Sequence, residues 1–254
     1  MAITLKSKDE LKLMREAGRV VGETLQMLVA MVKPGANVLE LDEAVRREYN
    51  RRGVTPTFLG YPPGGPHPFP ATVCVSINDE IVHGIPRDYV MRDGDIVSID
   101  LGATVKGYVG DSAVTVVCGA ASNGSQELVS TCERALWKGI EQTRAGNRMG
   151  DIGYAVQRTA ESRGYAVVRE YVGHGVGRRM HEDPNVPNYG RPGTGLRLKS
   201  GLVIAIEPML NVGGWQTKKD ADEWTIRTMD GSLSAHFEHT VAVTPDGPEV
   251  LTLP

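Results

Sequence analysis

The sequence predicts an α+β domain made of two pseudo-symmetric halves, each with a helix pair packed on an antiparallel half-sheet. Helical periodicity precedes a group of short, β-branched runs in each half. Similar segments also recur in the same order in both halves, and no linker or low-complexity stretch separates them. We therefore expect one domain over residues 1–254, with an internal duplication at about residues 8–120 and 121–250. Two half-sheets that meet centrally would form a cleft suited to a functional site.

The first helix pair has clear start and stop signals. Ser7 and Glu10 have the spacing of a capping box, and apolar residues follow at helical spacing until Pro34-Gly35. A second helix is predicted from about Val38 to Arg52, and Gly53 ends it.

The second half repeats the order of the first. Shared amphipathic helices alone do not explain this, because the matching helical, histidine-containing and strand segments keep their order. Their unequal spacing predicts loops of different length in the two halves. The matching segments are residues 33–41 and 144–152, His83-Gly84-Ile85 and His174-Gly175-Val176, and residues 92–100 and 199–207.

Composition excludes several classes of protein. The net charge is -3, from 28 basic and 31 acidic residues, so neither nucleic acid nor an acidic membrane is an expected partner. The cysteines Cys74, Cys118 and Cys132 match no zinc or redox pattern, which favours a reducing, cytoplasmic location. The start of the chain predicts no signal peptide, and the longest apolar runs are too short to cross a bilayer. A monomer is the default expectation.

Four acidic residues fall at or within strands whose other residues are typical of burial. Asp100 follows the run 95–99, and Asp111 follows a predicted turn at Gly107, so a hairpin can bring the two acids together. Glu207 and Glu238 occupy matching places in the second half. A single such acid is usually a solvated strand end. Four buried carboxylates would repel one another unless cations neutralise them.

Histidines complete this predicted metal site. His174, between two glycines, is the candidate nitrogen ligand, although a histidine in this setting is more often a loop residue. Oxygen-rich sites with one or two imidazoles suit manganese, iron, cobalt or zinc. His83 and His181 remain for acid–base work or for stabilising an oxyanion. His67 and His239 are interpreted as structural or surface residues, and the role of His236 stays open.

The motifs resemble those of the type I methionine aminopeptidases over nearly the whole chain. This resemblance implies the pita-bread fold, with a metal site in its central cleft. It also implies a cytoplasmic metalloprotease that acts in protein maturation. The motifs are Ser76-Ile77-Asn78-Asp79-Glu80, His83-Gly84-Ile85-Pro86, Ile99-Asp100, Gly110-Asp111, Gly173-His174-Gly175-Val176-Gly177, Ile206-Glu207-Pro208-Met209 and Phe237-Glu238-His239-Thr240.

The resemblance assigns roles to these residues. A water or hydroxide bridging two divalent ions (Co, Mn, Fe or Zn) would attack the first peptide bond of a nascent polypeptide whose second residue is small. Glu207 would be the general base, and Asp111 with a metal would hold the free amino terminus. His181 would stabilise the oxyanion, and His83 would contact the scissile amide nitrogen. The implied ligands are Asp100, Asp111, His174, Glu207 and Glu238.

The resemblance also places an apolar pocket for the methionine side chain, although each of its residues alone reads as core packing. The chain departs from the usual pattern in three places. The segment 62–68 is longer and richer in proline, Met180 stands where an aromatic is common, and His236 stands where glutamine is common. The implied pocket residues are Tyr61, Phe69, Cys74, Met180 and Trp224, with Phe58 as a further candidate.

Two alternative functions stay open from the sequence. One is a proline-directed peptidase of the same fold, similar to prolidase or aminopeptidase P, which usually carries an additional N-terminal domain. The other is a binding module without catalysis, but the chain retains all five implied ligands. The implied function also predicts a transient ribosome contact. Arg178 and Arg179 at the rim of the site are the residues to consider, although a solvated loop is the simpler interpretation.

Overall fold

Two helix pairs lie in the predicted places in the computed structural model, which describes residues 3–254. Ser7 caps the first helix through the predicted reciprocal hydrogen bonds with Glu10. The second helix ends at Gly53 in the left-handed conformation (φ 66°), where a side chain would be strained. The helices are α1 (Lys8–Val29), α2 (Leu39–Arg52), α3 (Asn123–Glu141) and α4 (Met149–Glu161).

The strands form one large and two small antiparallel sheets. They are β1 (Thr55–Pro56), β2 (Cys74–Ile77), β3 (Glu80–Val82), β4 (Ile96–Val105), β5 (Tyr108–Val117), β6 (Ala166–Val167), β7 (Gly173–Gly175), β8 (Glu182–Val186), β9 (Val203–Ile206), β10 (Met209–Asn211), β11 (Thr217–Lys219), β12 (Ile226–Thr228), β13 (Ser234–His236), β14 (Glu238–Thr244) and β15 (Gly247–Val250).

The large sheet joins the two halves at its centre. It has nine strands in the order β1-β4-β5-β14-β9-β7-β8, with β2 paired to β4 and β15 paired to β14. The central contact is short: Glu238 pairs with Ala113, and His239 pairs with Ser112. The small sheets are β13-β10-β6 and β11-β12-β3. The expected α+β architecture is therefore confirmed, with the acid-bearing strands of both halves adjacent to one another.

Each half has its own apolar core between its helices and its strands. In the first half Val21, Leu41 and Ile99 are completely buried, and in the second half Leu128, Ile152 and Ile204 are. Burial of this kind is the main favourable contribution to folding.

Glycines let α1 approach the large sheet closely. A Cβ atom on Gly110 in β5 would lie only 2.6 Å from the backbone nitrogen of Gly18 in α1. A side chain at Gly110 would therefore force the helix away from the strand that carries Asp111.

The structure changes three local expectations. Asp100 does not end its strand, because β4 continues to Val105. The predicted strand around Glu238 is broken at Phe237, so β13 joins a small sheet and β14 joins the large one. His83 and His174 are not equivalent in the sheets: β7 pairs with β9, whereas β3, which precedes His83, pairs with β12. The strand next to β4 that corresponds to β7 is β2.

Candidate metal centre

A hairpin brings the first two acids to one face of the large sheet. Asp100 in β4 pairs with Ala113, and Asp111 in β5 pairs with Gly102. The two acids are thus diagonal neighbours across the hairpin, and their side chains share a face because strand residues alternate with a period of two.

The second half brings its ligand candidates to the same cavity. Glu207 directly follows β9, and Glu238 begins β14, which lies between β9 and β5. His174 sits in β7, on the other side of β9. The glycine-flanked histidine is therefore a strand residue rather than a loop residue.

The side-chain atoms of these residues converge. Ligand atoms of Asp111, His174 and Glu238 lie within 4.8 Å of one another. The Nε2 atom of His174 is 3.9 Å from Oδ2 of Asp111 and 3.7 Å from Oε1 of Glu207. These separations suit atoms that share a metal ion.

The electrostatics of the carboxylates favour a bound cation. One oxygen each of Asp100, Asp111 and Glu238 is buried without a hydrogen-bond partner. Burial raises the pKa of Asp111 to about 7. Burial, followed by the charge of Asp111, also raises the pKa values of Asp100, Glu207 and Glu238 well above their usual range. Buried acids that lack protein partners are the donors a divalent ion would satisfy, so the residues fit a metal centre.

His174 is held in the tautomer that a ligand requires. Its Nδ1 atom lies 3.0 Å from the carbonyl oxygen of Gly175. Because a carbonyl only accepts, Nδ1 carries the proton and Nε2 keeps a free lone pair facing the acids. Burial, followed by the charge of His181, lowers the pKa of His174 to about 3, which keeps the ring neutral.

His83 and His181 line the same cavity as the acids. The Nδ1 atom of His181 is 2.6 Å from the hydroxyl of Tyr61, and its ring centroid is 4.2 Å from that of His174. Burial is the main cause that lowers the pKa of His83 to about 4, and it also lowers the pKa of His181. His83 has a left-handed backbone (φ 59°), an uncommon conformation that is often found at functional sites.

All of the sequence-predicted pocket residues line the same cavity, which encloses about 180 Å³. The rings of Phe69 and Trp224 meet edge to face at 5.1 Å. Cys74 forms part of the wall, and burial together with the nearby carboxylates raises the pKa of its thiol. The apolar side of the cavity consists of Phe58, Tyr61, Phe69, Cys74, Met180 and Trp224, and its polar side consists of His83, Asp100, Asp111, His174, His181, Glu207 and Glu238.

The remaining histidines occupy different positions. His67 is exposed, and His239 is half-buried, with its Nδ1 atom 2.8 Å from the hydroxyl of Thr252. His236 is buried beside the acids: its Nε2 atom is 3.8 Å from Oε2 of Glu207 and has no hydrogen-bond partner.

Sequence reasoning missed two residues that position the acids. The side-chain amide of Asn188 donates to the carbonyl oxygen of Glu207 at 2.9 Å. The hydroxyl of Thr240 accepts from the amide of Asp111 at 3.1 Å and donates to its carbonyl at 2.7 Å. Asn188 has no sequence signal, and Thr240 lies in the motif 237–240 without any sign of this role, because each acts through the backbone of a residue far along the chain.

Comparison with known proteins identifies the family. The profile of metallopeptidase family M24 matches residues 12–245. The methionine aminopeptidase of Clostridium acetobutylicum is 48% identical over 252 residues, which are 99% of each chain. Methionine aminopeptidase 1 of Bacillus subtilis is 47% identical over 250 residues, or 98% of this chain and 99% of the relative.

Solved structures agree with the sequence comparison. The crystal structure of methionine aminopeptidase from Thermotoga maritima has a TM-score of 0.96 and 42% identity, with both chains covered completely. The prolidase from Pyrococcus furiosus has a TM-score of 0.77 at 21% identity, and covers 98% of this chain and 65% of its own. This second likeness concerns the fold alone.

The chain belongs to metallopeptidase family M24, the pita-bread peptidases, which are metal-dependent hydrolases. Within that family its full-length relatives at 42–48% identity are methionine aminopeptidases. The resemblance found in the sequence motifs is therefore confirmed. No helix within residues 3–254 combines the length and hydropathy needed to span a membrane.

Proposed function

We propose that this protein removes the N-terminal methionine from peptides and nascent polypeptides whose second residue is small. The observation that carries the proposal is a single cavity with two contrasting sides. One side holds His174 and four acids, of which Asp111 and Glu238 are buried, and the other is apolar and lined by Phe69, Met180 and Trp224. A peptide amino terminus with an apolar first side chain matches this division.

The donor set supports two divalent ions held by Asp100, Asp111, His174, Glu207 and Glu238. Five side chains provide more donor atoms than one tetrahedral ion requires, and a carboxylate can bridge two ions. When bound, such ions supply positive charge that lowers the pKa of water and offsets the negative charge of a tetrahedral intermediate. Several first-row metals suit these donors, so metal availability would decide which one is used.

The protein side chains would perform the remaining tasks. Glu207, with both carboxylate oxygens directed toward histidines, would accept the proton of the attacking water and return it to the leaving amine. His181, oriented by Tyr61, would donate a hydrogen bond to the developing oxyanion. His83 would contact the scissile amide nitrogen. Asp111 would bind the free amino group of the substrate.

The first test combines a substrate choice with a variant. Release of methionine from Met-Ala-Ser and cleavage of an Xaa-Pro peptide are measured with metal-stripped protein titrated with Mn²⁺ or Co²⁺. We expect metal-dependent cleavage of Met-Ala-Ser alone. Glu207→Gln should reduce kcat by roughly 10²–10⁴-fold, the usual contribution of a general acid–base group. Full activity of this variant would refute the role of Glu207.

The proline-directed alternative rests on the fold likeness to prolidase. Preference for the Xaa-Pro peptide would support that alternative and overturn the methionine pocket. Failure to bind divalent ions would instead favour a non-catalytic module.

The proposed reaction has consequences for location and partners. A substrate that emerges during translation implies a cytoplasmic enzyme, a transient visit to the ribosome and no stable partner, so a monomer is expected. The guanidinium of Arg178 lies 4.5 Å from the ring centroid of Tyr108.

A further inference from the structure

A second cavity continues from the candidate metal centre on the far side of His83. His83 and Trp224 line both cavities, so the two adjoin at these side chains. We call the second cavity the downstream groove and define it by Pro66, His67, Lys219, Glu223 and Ile226, with His83 and Trp224 at its inner end.

The position of the groove fits the part of a substrate that follows the scissile bond. If His83 contacts the scissile amide nitrogen, the chain must continue beyond His83, away from the methionine pocket. An extended chain advances by about 3.3–3.6 Å per residue, so the third and fourth residues reach the groove.

The groove is built by two segments fixed to each other. The indole nitrogen of Trp224 donates to the carbonyl oxygen of His67 at 3.0 Å, which ties the β11–β12 hairpin to the proline-rich segment 62–68. The hairpin is also anchored at its other end, where the amide and hydroxyl of Thr217 both donate to Glu170. The proline-rich segment therefore forms one wall of the groove.

The charge of the groove comes from Lys219 and Glu223. Their charged atoms are 3.8 Å apart, and more than half of each side chain is exposed. This pair is therefore weak and open to exchange with another ion. The positive charge of Lys219 reaches the inner end of the groove, because it contributes, after burial and His181, to the lowered pKa of His83.

We propose that the downstream groove binds the third and fourth residues of the substrate and that Lys219 selects a carboxylate there. This inference rests on the proposed function. Two sources could supply the carboxylate: an acidic side chain, or the free carboxyl terminus of a short peptide. The overall charge of -3 would weakly repel acidic peptides, so a preference for such peptides would have to come from the charge of Lys219 in the groove.

The test compares kcat/KM for three amidated peptides, Met-Ala-Glu-Glu, Met-Ala-Lys-Lys and Met-Ala-Ser-Ser, at low salt. The wild-type protein should prefer the Glu peptide over the Lys peptide by about two- to fivefold, the range of an exposed ion pair. Lys219→Glu should reverse this ratio, whereas Glu223→Gln should increase it because the competing carboxylate is gone. A second comparison uses Met-Ala-Ser with a free and with an amidated carboxyl terminus. It distinguishes binding of the peptide's carboxyl terminus from binding of an acidic side chain.

Lys218 provides a matched control. Lys219 pairs with Ile226 and Lys218 pairs with Arg227, so these neighbouring lysines lie on opposite faces of the hairpin. Lys218→Glu makes the same charge change outside the groove and should leave the peptide ratio unchanged. Equal wild-type rates for all three peptides, or the same response in both lysine variants, would overturn the inference while leaving the proposed function intact. Absence of cleavage of every methionine peptide would instead refute the proposed function.

Discussion

Replacing Asp111 by asparagine is expected to stabilise the metal-free protein at alkaline pH and to weaken its binding of divalent ions. Asparagine has nearly the same shape but carries no charge. In the folded protein, burial raises the pKa of Asp111 from 3.8 to about 7, although the amide of Ser112 partly opposes this. The charge of Asp111 also raises the pKa values of Asp100, Glu207 and Glu238.

The sign of the effect follows from proton linkage. A carboxyl group whose pKa is higher in the folded state binds more protons when folded, so stability falls as the pH rises from about 4 to about 7. At 1.36 kcal/mol per pH unit, the charged form of Asp111 costs about 4 kcal/mol of unfolding free energy above pH 7. The asparagine variant avoids this cost, and below pH 4 the two proteins should be equally stable.

Urea unfolding of EDTA-treated protein at pH 4 and pH 8 measures this difference, and isothermal titration with Mn²⁺ measures metal binding. Asp246→Asn, at an exposed turn position, is the control and should change neither. A metal-free Asp111→Asn protein that is less stable than wild type at pH 8 would show that the acid is satisfied within the protein. That result would refute the argument that the carboxylates lack protein partners and require a bound cation.

Two further predictions concern metal addition and packing. Mn²⁺ at 100 times its Kd should stabilise the wild-type protein by about 2.7 kcal/mol, or raise Tm by roughly 5–10 °C in scanning calorimetry; an unchanged Tm would contradict a folded-state metal site. Gly18→Ala would place a Cβ atom 2.1 Å from the carbonyl oxygen of Leu251. We expect it to cost about 1–3 kcal/mol in urea unfolding. Gly124→Ala is the control, because its new Cβ atom would meet only the Oγ atom of Ser122, at 4.0 Å. Equal stability of the two variants would refute the close-packing argument.

Local sequence signals predicted the helices and the acid-bearing strands well. The capping box at Ser7 and the glycine stop at Gly53 depend on neighbours within a few residues, so they are readable from the chain. The acids were noticeable because each interrupts an apolar strand pattern. Their matching places in the two halves grouped them with His174 as one predicted metal site, and the family resemblance then gave each residue its role.

Other features depended on pairings that local patterns do not encode. The break at Phe237 was unpredictable, because no glycine or proline in residues 234–243 marks the point at which the chain passes from one sheet to another. For the same reason, the similar sequences around His83 and His174 gave a wrong structural correspondence.

The sequence by itself determined the elements, the order of the repeated segments and the residue types capable of binding metal, because these follow from short-range periodicity and side-chain chemistry. Only the tertiary structure decided that the β5–β14 pairing places the acids of both halves in one cavity. It also decided that His236 faces Glu207 and that Lys219 and the proline-rich segment border a second cavity. These are contacts between residues far apart in the chain, and they exist only once the two half-sheets have paired.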